Sequence, residues 1–147
     1  MTEDVIIRGM EEKDLPEVAS LEAETFTEPW SLTSLQDSMK NPIYQFLVAI
    51  RNDSVVGYCA LRQVGNEGEI SNVAVASGHQ QQGIGKKMME ELLNIGDKSG
   101  ITEYTLEVRI SNESAIHLYQ KAGFLSEGVR KNFYQKPVED AVIMWKR

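Results

Sequence analysis

The stretch EISNVAVASGHQQQGIGKKMMEELL, from Glu69 to Leu93, changes character twice in 25 residues. Ile70, Val73 and Val75 make a β-type run. A polar turn with two glycines follows, and then apolar residues at helical spacing, so the stretch reads as a strand, a tight loop and a helix. The loop offers a row of backbone N–H groups at a helix start, with Gly83 and Gly85 removing side chains that would keep a ligand away. Anions bind at such places. Lys86 and Lys87 point the same way, because cations in a first turn oppose the helix dipole unless an anion docks there. A plain glycine-containing turn with two solvated lysines is the other reading, and the loop alone leaves both open. A P-loop is excluded because Lys86 is followed by Lys87 rather than Ser or Thr, and a dinucleotide fingerprint lacks its third small residue at Met88. Glu103 lies at the spacing of a ribose-binding acid, a weak signal without that glycine.

Downstream, Ile101 to Ile110 (ITEYTLEVRI) alternates, with Tyr104, Leu106, Val108 and Ile110 on one face and Glu103, Thr105, Glu107 and Arg109 on the other. A strand–helix–strand crossover implies that this strand runs parallel to the Glu69 strand. Ser111 or Asn112 caps a helix striped by Ala115, Leu118, Tyr119 and Ala122, which Gly123 ends. Phe124–Tyr134 and Ala141–Trp145 read as a closing hairpin. Upstream, Val5–Met10 is a short strand, and Asp14 is expected to cap a helix carrying Leu15, Val18 and Leu21. The loop Thr27-Glu28-Pro29-Trp30 leads to Ser31, cap of a second helix that Asn41-Pro42 stops. Tyr44–Ile50 and Val55–Val64 are β-rich runs joined by the polar turn Arg51-Asn52-Asp53-Ser54. The sum is an α/β (α+β) fold, a mixed sheet of about seven strands flanked by about four helices.

The 147 residues suit one domain spanning 1–147. Twenty-two acidic against 15 basic side chains give a formal charge of −7, which argues against general nucleic-acid binding and suits a cationic partner. Cys59 is the sole cysteine, so neither a disulfide framework nor a cysteine metal site is possible, and a reducing cytoplasm is compatible. No basic leader opens the chain and no apolar run approaches the roughly 20 residues that span a bilayer, so an intracellular location off the membrane is expected.

In an open α/β sheet, ligands bind beyond the C-terminal ends of the parallel strands, here the glycine loop and the cap of the Ser111 helix. Glu107 and Tyr119 both have access to that crevice. Spacing alone favours Glu107 on a sheet surface, paired with Arg109 or Glu103, and Tyr119 as a core residue. His79 and His117 lack a metal-ligand pattern, and no Ser/His/Asp or Cys/His arrangement is identifiable.

Gln80-Gln81-Gln82-Gly83-Ile84-Gly85 matches Q/R-x-x-G-x-G/A, and NESAIHLYQKAGF (Asn112–Phe124) matches N-x-x-A-x-x-L-Y-x-x-x-G-F. In these two motifs, in this order, the chain resembles the GNAT (Gcn5-related) N-acetyltransferases. Glu28-Pro29-Trp30-Ser31, LEVRISN (Leu106–Asn112), RKNFY and EDAVIM further resemble the RimI type, which acetylates the N-terminal alanine of a ribosomal protein. The resemblance implies the GNAT acyl-CoA N-acyltransferase fold and acetyl-CoA as cosubstrate, with no metal. The pyrophosphate would lie on amides of Gln80, Gln81, Gln82, Gly83, Ile84, Gly85 and Lys86. The pantetheine arm would run along Val73, Ala74 and Val75 between splayed strands, touching Asn112. Glu107 would be the general base and Tyr119 the general acid. The acceptor, a protein N-terminal peptide, would lie between the Glu28–Trp30 loop and the closing hairpin, against Glu28, Trp30 and Tyr134, with Glu28 or Asp140 adding negative charge. Ser77 and His79 replace the family's frequent Pro and aromatic, and Gln81 and Gln82 its frequent Arg, which implies a looser turn with fewer phosphate charges. Two rival functions stay open: acetylation of a small amine such as a polyamine, amino acid or antibiotic, and noncatalytic acyl-CoA binding.

Overall fold

Alternating apolar residues between positions 44 and 75 fold into an antiparallel meander, and the crossover adds a parallel strand to its edge. The structure, a computed structural model, describes residues 4–147, Asn72 by its backbone alone. The strands are β1 (Ile6–Gly9), β2 (Tyr44–Arg51), β3 (Ser54–Val64), β4 (Glu67–Val75), β5 (Glu103–Arg109), β6 (Leu125–Tyr134) and β7 (Glu139–Lys146). They form one sheet in the order β1-β2-β3-β4-β5-β7-β6. The helices are α1 (Leu15–Thr25), α2 (Leu32–Met39), α3 (Ile84–Lys98) and α4 (Glu113–Lys121), with a 3-10 turn at Glu12–Asp14. The mixed sheet, its strand and helix numbers and the parallel crossover are those expected from the sequence.

The alternation along the strands sorts the core onto the two faces of the sheet. On one, Tyr104, Leu106 and Val108 of β5 pack with Ile84, Met88, Met89 and Leu92 of α3 and Tyr119 of α4. On the other, Val18 and Leu21 of α1 and Leu35 of α2 pack on Phe46, Val48, Tyr58 and Ala74. Tyr104 fixes α3 to the sheet, its hydroxyl donating to Leu93 O at 3.0 Å and Asp97 Oδ1 at 2.7 Å. It lies directly over Gly96, where a Cβ would collide with the phenol, so that helix position is confined to glycine.

Two local expectations are corrected. β5 ends at Arg109, and Ile110 is 48% exposed at the turn into α4, although its N–H still bonds Asp140 O of β7. Asp14 holds the N-cap position of α1 but makes no side-chain bond to it. Its carboxylate accepts from Glu11 N–H at 2.8 Å and takes both Arg8 nitrogens at 2.7 and 3.0 Å, closing the 3-10 turn against β1 and holding the carboxyl below its ordinary range. Ser31 caps α2 as expected, accepting from Ser34 N–H at 3.1 Å.

What positions a site is the junction of the parallel pair. β4 and β5 are in register only at Glu67/Glu103, Gly68/Tyr104 and Glu69/Thr105. Beyond, β4 stays with β3 as far as Val75, while β5 stays with β7 as far as Arg109 and Ala141, so the two strands part and leave a slot through the sheet. The slot edge of β4 is also irregular. Tyr58 opposes Ala74 and Ala60 opposes Ser71, which leaves Asn72 and Val73 facing Cys59 alone, a β-bulge that turns the backbone at the slot.

Candidate active site

A cavity of about 430 Å³ occupies the slot. Val73 supplies its β4 wall; Glu107, Val108 and Arg109 its β5 wall; Asn112, Ala115 and Tyr119 its α4 end; residues 25–28 and Trp30 its α1–α2 side; and Phe133, Tyr134 and Gln135 its β6 side. Glu107 and Arg109 share the face that carries α1 and α2, whereas Val108 and Tyr119 belong to the core under α3 and α4. The cavity therefore connects both faces of the sheet.

Glu107 is an ion-pair partner of Arg130, with Nε 2.7 Å from Oε2, rather than of Arg109 or Glu103 as the strand spacing allowed. Arg109 is unavailable because its guanidinium is committed elsewhere, donating to Pro137 O (3.1 Å), Glu139 Oε1 (3.1 Å), Gln135 O (3.0 Å) and Thr27 Oγ1 (3.1 Å). It also lies 4.5 Å from the centre of the Tyr134 ring. One side chain thus joins β5, the α1–α2 loop and the closing hairpin, and Glu139 extends the network by accepting from Ser111 N–H at 2.8 Å. Burial raises the Glu107 carboxyl above its ordinary range; Arg130 pulls it down and Glu69 pushes it up. Burial, then Glu107, push the Tyr134 phenol up to about 12, with Arg109 opposing.

Tyr119 is 7% exposed and its phenol is raised well above the ordinary value, chiefly by burial. It lines the cavity, and among the described residues its hydroxyl has no hydrogen-bond partner. Its ring rests edge-on against Phe124, centroids 6.1 Å apart. Asn112 caps α4, Oδ1 accepting from Ala115 N–H at 3.2 Å.

The glycine loop stands at the end of β4, outside the cavity lining. Gly83 takes φ +83° and opens α3; the first helical bond runs from Lys87 N–H to Gly83 O, so the N–H groups of Ile84, Gly85 and Lys86 precede it. Gly85 has a packing reason as well as a ligand one, since a Cβ there would sit 3.2 Å from Leu118 of α4. The turn that carries Ser77 and His79 is braced by side chains. Gln80 Nε2 donates to Val75 O (3.0 Å) and Gln82 Nε2 to Gly78 O (3.3 Å), while buried Arg51 reaches both Gln82 Oε1 and His79 Nδ1 at 2.9 Å. Arg51, read from sequence as part of a polar turn, is the last residue of β2 and places a cation under the loop. Lys86 is exposed, but Lys87 Nζ donates to Val5 O at 3.0 Å and ties α3 to the chain before β1.

Of the residues singled out, Glu28, Trp30, Val73, Glu107, Asn112, Tyr119 and Tyr134 meet around one cavity. Ala74 packs in the α1–α2 core, and Asp140 is spent on Asn132 N–H at 2.9 Å. Sequence reasoning missed Arg109 as a site residue, although it repeats the period-two face of Glu107. It also missed Glu22, a carboxylate inside the apolar stripe of α1, where such a residue is itself the signal. Glu22 is 1% exposed, accepts from Trp30 N–H at 2.7 Å and from the Tyr58 hydroxyl, and so pins the loop between α1 and α2. Among the described residues no group of His, Cys, Asp or Glu could hold a metal ion.

The profile of the Acetyltransferase (GNAT) family matches residues 15–124. The chain is 33% identical over 142 residues to the ribosomal protein bS18-alanine N-acetyltransferase of Haemophilus influenzae, covering 95% of this chain and 96% of that one. It is 31% identical over 140 residues to the enzyme of the same name from Escherichia coli (strain K12), covering 94% of each. The crystal structure of the Escherichia coli ribosomal-protein-S18-alanine N-acetyltransferase superposes with a TM-score of 0.87 at 31% identity, over 97% of this chain and 92% of that one.

Proposed function

Because this chain belongs to the GNAT family of acetyltransferases, we propose that it moves the acetyl group of acetyl-CoA onto the α-amine of a protein N-terminus, in particular the N-terminal alanine of a ribosomal protein. The family supplies the cosubstrate and the type of reaction. The acceptor follows from relatives named for a ribosomal protein's alanine. The observation that carries the reading is the cavity through the parted strands, where Glu107 from one face and Tyr119 from the other line one space.

Acetyl-CoA fits the side of α3 and α4. Its pyrophosphate has the amides of Gln80 to Lys86 and the Arg51 guanidinium behind them, and its arm has the unpaired slot edge of β4 from Val73 to Val75. Asn112, its carbonyl used in the cap, keeps an amide nitrogen for the arm. The acceptor enters from the α1–α2 side, between Glu28 and Trp30 and the Tyr134 wall.

The amine nitrogen attacks the thioester carbonyl carbon while its proton passes to Glu107, directly or through one water. An N-terminal ammonium loses its proton near pH 8, and a carboxyl raised by burial is a better match for it than an exposed one. Backbone N–H groups at the Val73 bulge receive the oxyanion as it forms. The C–S bond then breaks and the CoA sulfur takes the Tyr119 proton. Burial keeps the phenol protonated until then, and the same dry surroundings raise the basicity of the thiolate beside it.

The test is acetyl transfer to an alanine-starting peptide with and without a blocked α-amine. Transfer to the free peptide alone, lost in Glu107→Gln, is expected; transfer that survives the block would overturn the assignment of the α-amine.

A further inference from the structure

The base just assigned carries a guanidinium on one of its two oxygens. β5 and β6 are not neighbours, because β7 lies between them, and Arg130 reaches Glu107 across it. Register makes the reach short: Glu107 opposes Ile143 and Arg130 opposes Ala141, on strands that flank the same stretch of β7. The β6–β7 register then shifts beyond Arg130, which carries Tyr134 to the cavity wall. The guanidinium is steadied by Phe133, 5.6 Å from its ring centre.

Of the other charged or titratable groups around Glu107, Glu28 and Tyr119 line the same cavity, and the rest are differently engaged. Glu69 of β4 sits near Arg62 of β3, Nη1 3.9 Å away. Tyr134 is a neutral phenol under Arg109, and Arg109 itself is bound to Glu139, the hairpin carbonyls and Thr27. Glu107 thus has Arg130 Nε against Oε2 and lines the cavity at the same time.

We propose that Arg130 is a positioning residue of the acetyl transfer: its contact with Oε2 fixes the Glu107 carboxylate at the cavity wall and holds it ionised for the acceptor amine. The inference rests on Glu107 being the base. Arg130 neither gains nor loses a proton in the cycle; the amine proton goes to the Glu107 carboxylate and leaves to solvent after the acetyl group has moved. Without the guanidinium, burial and Glu69 act on the carboxyl unopposed, and the base fills with a proton at higher pH.

The experiment is the pH profile of kcat/KM for an alanine-starting peptide in the wild type, Arg130→Gln, Arg130→Lys and Glu107→Gln. The acid limb carries the ionisations of the free enzyme and of the peptide's own amine, so each variant is read as its ratio to the wild type at the same pH, where the amine cancels. Arg130→Gln is expected to lose roughly 3- to 10-fold at about pH 6 and to recover toward about pH 8.5, with Arg130→Lys between it and the wild type. A loss of equal size at every pH, or an unmoved limb, overturns the role of Arg130 while the inactivity of Glu107→Gln leaves the base in place. Full activity in Glu107→Gln removes the base, and the inference with it.

Discussion

Tyr119 is a buried core residue whose phenol burial keeps protonated, which suits the donor role proposed for it. Its stripe partners Ala115 and Leu118 made it legible as a helix-face residue, but not as one whose hydroxyl opens into a cavity, because that depends on β5 parting from β4. Tyr119→Phe is expected to lower kcat by roughly 100-fold or more while changing acetyl-CoA affinity little, a comparison of turnover with equilibrium titration. Unchanged turnover would remove the tyrosine from the acid role. Glu22 gives a second test at this scale. Burial pushes its carboxyl from about 4.5 up to about 7, against the Trp30 N–H bond. The folded state then holds the proton more tightly than the unfolded one, so this contribution to stability is complete below about pH 4.5 and is lost as pH rises to about 7. Urea midpoints should fall across that window in the wild type and fall less in Glu22→Gln, whose amide oxygen can still accept from Trp30 N–H while its NH2 donates to the Tyr58 oxygen; parallel curves would contradict the buried, shifted carboxyl.

Among the elements, the strand–loop–helix from Glu69 to Leu93 was the most legible, because period-two and period-3.6 patterns meet at two glycines. Its bracing was not, since Arg51 and Val5 come from residues far away in sequence. Gly83 has a left-handed backbone, so Gly83→Ala should cost about 1 to 2 kcal/mol in urea unfolding and weaken acetyl-CoA binding at the same time. Loss of stability with intact acetyl-CoA affinity would leave the loop a turn only. Arg109 ties the hairpin to the α1–α2 loop, which places it at the acceptor walls rather than the cofactor loop. Arg109→Gln is therefore expected to raise KM for the peptide several-fold with KM for acetyl-CoA near its wild-type value; a rise confined to acetyl-CoA would contradict that placement. The alternation along β5 set Glu107 and Arg109 on one face, but their partners lie on β6 and the closing hairpin, and cross-strand register is not written in one strand.

At the scale of the whole molecule, the sheet order and the short β4–β5 register create the slot, and chain topology alone brings Glu28, Val73, Glu107, Tyr119 and Tyr134 to one place. The crossover was readable from the sequence; the point at which the parallel strands separate was not, because it is set by β7 pairing with β5 from a segment near the chain's end. No helix among the described residues is long and apolar enough to cross a membrane. The formal charge of −7 favours a cationic acceptor segment. For alanine-starting peptides with basic residues after the first, kcat/KM should fall several-fold between about 0.05 and 0.5 M salt, and fall less for neutral ones. The most direct test of an N-terminal acetyltransferase is mass spectrometry of ribosomal-protein N-terminal peptides, polyamines and free amino acids incubated together with the protein and acetyl-CoA. A single acetyl group on the α-amine of alanine-starting peptides is predicted, absent with Glu107→Gln; acetylated small amines with unmodified peptides would contradict it.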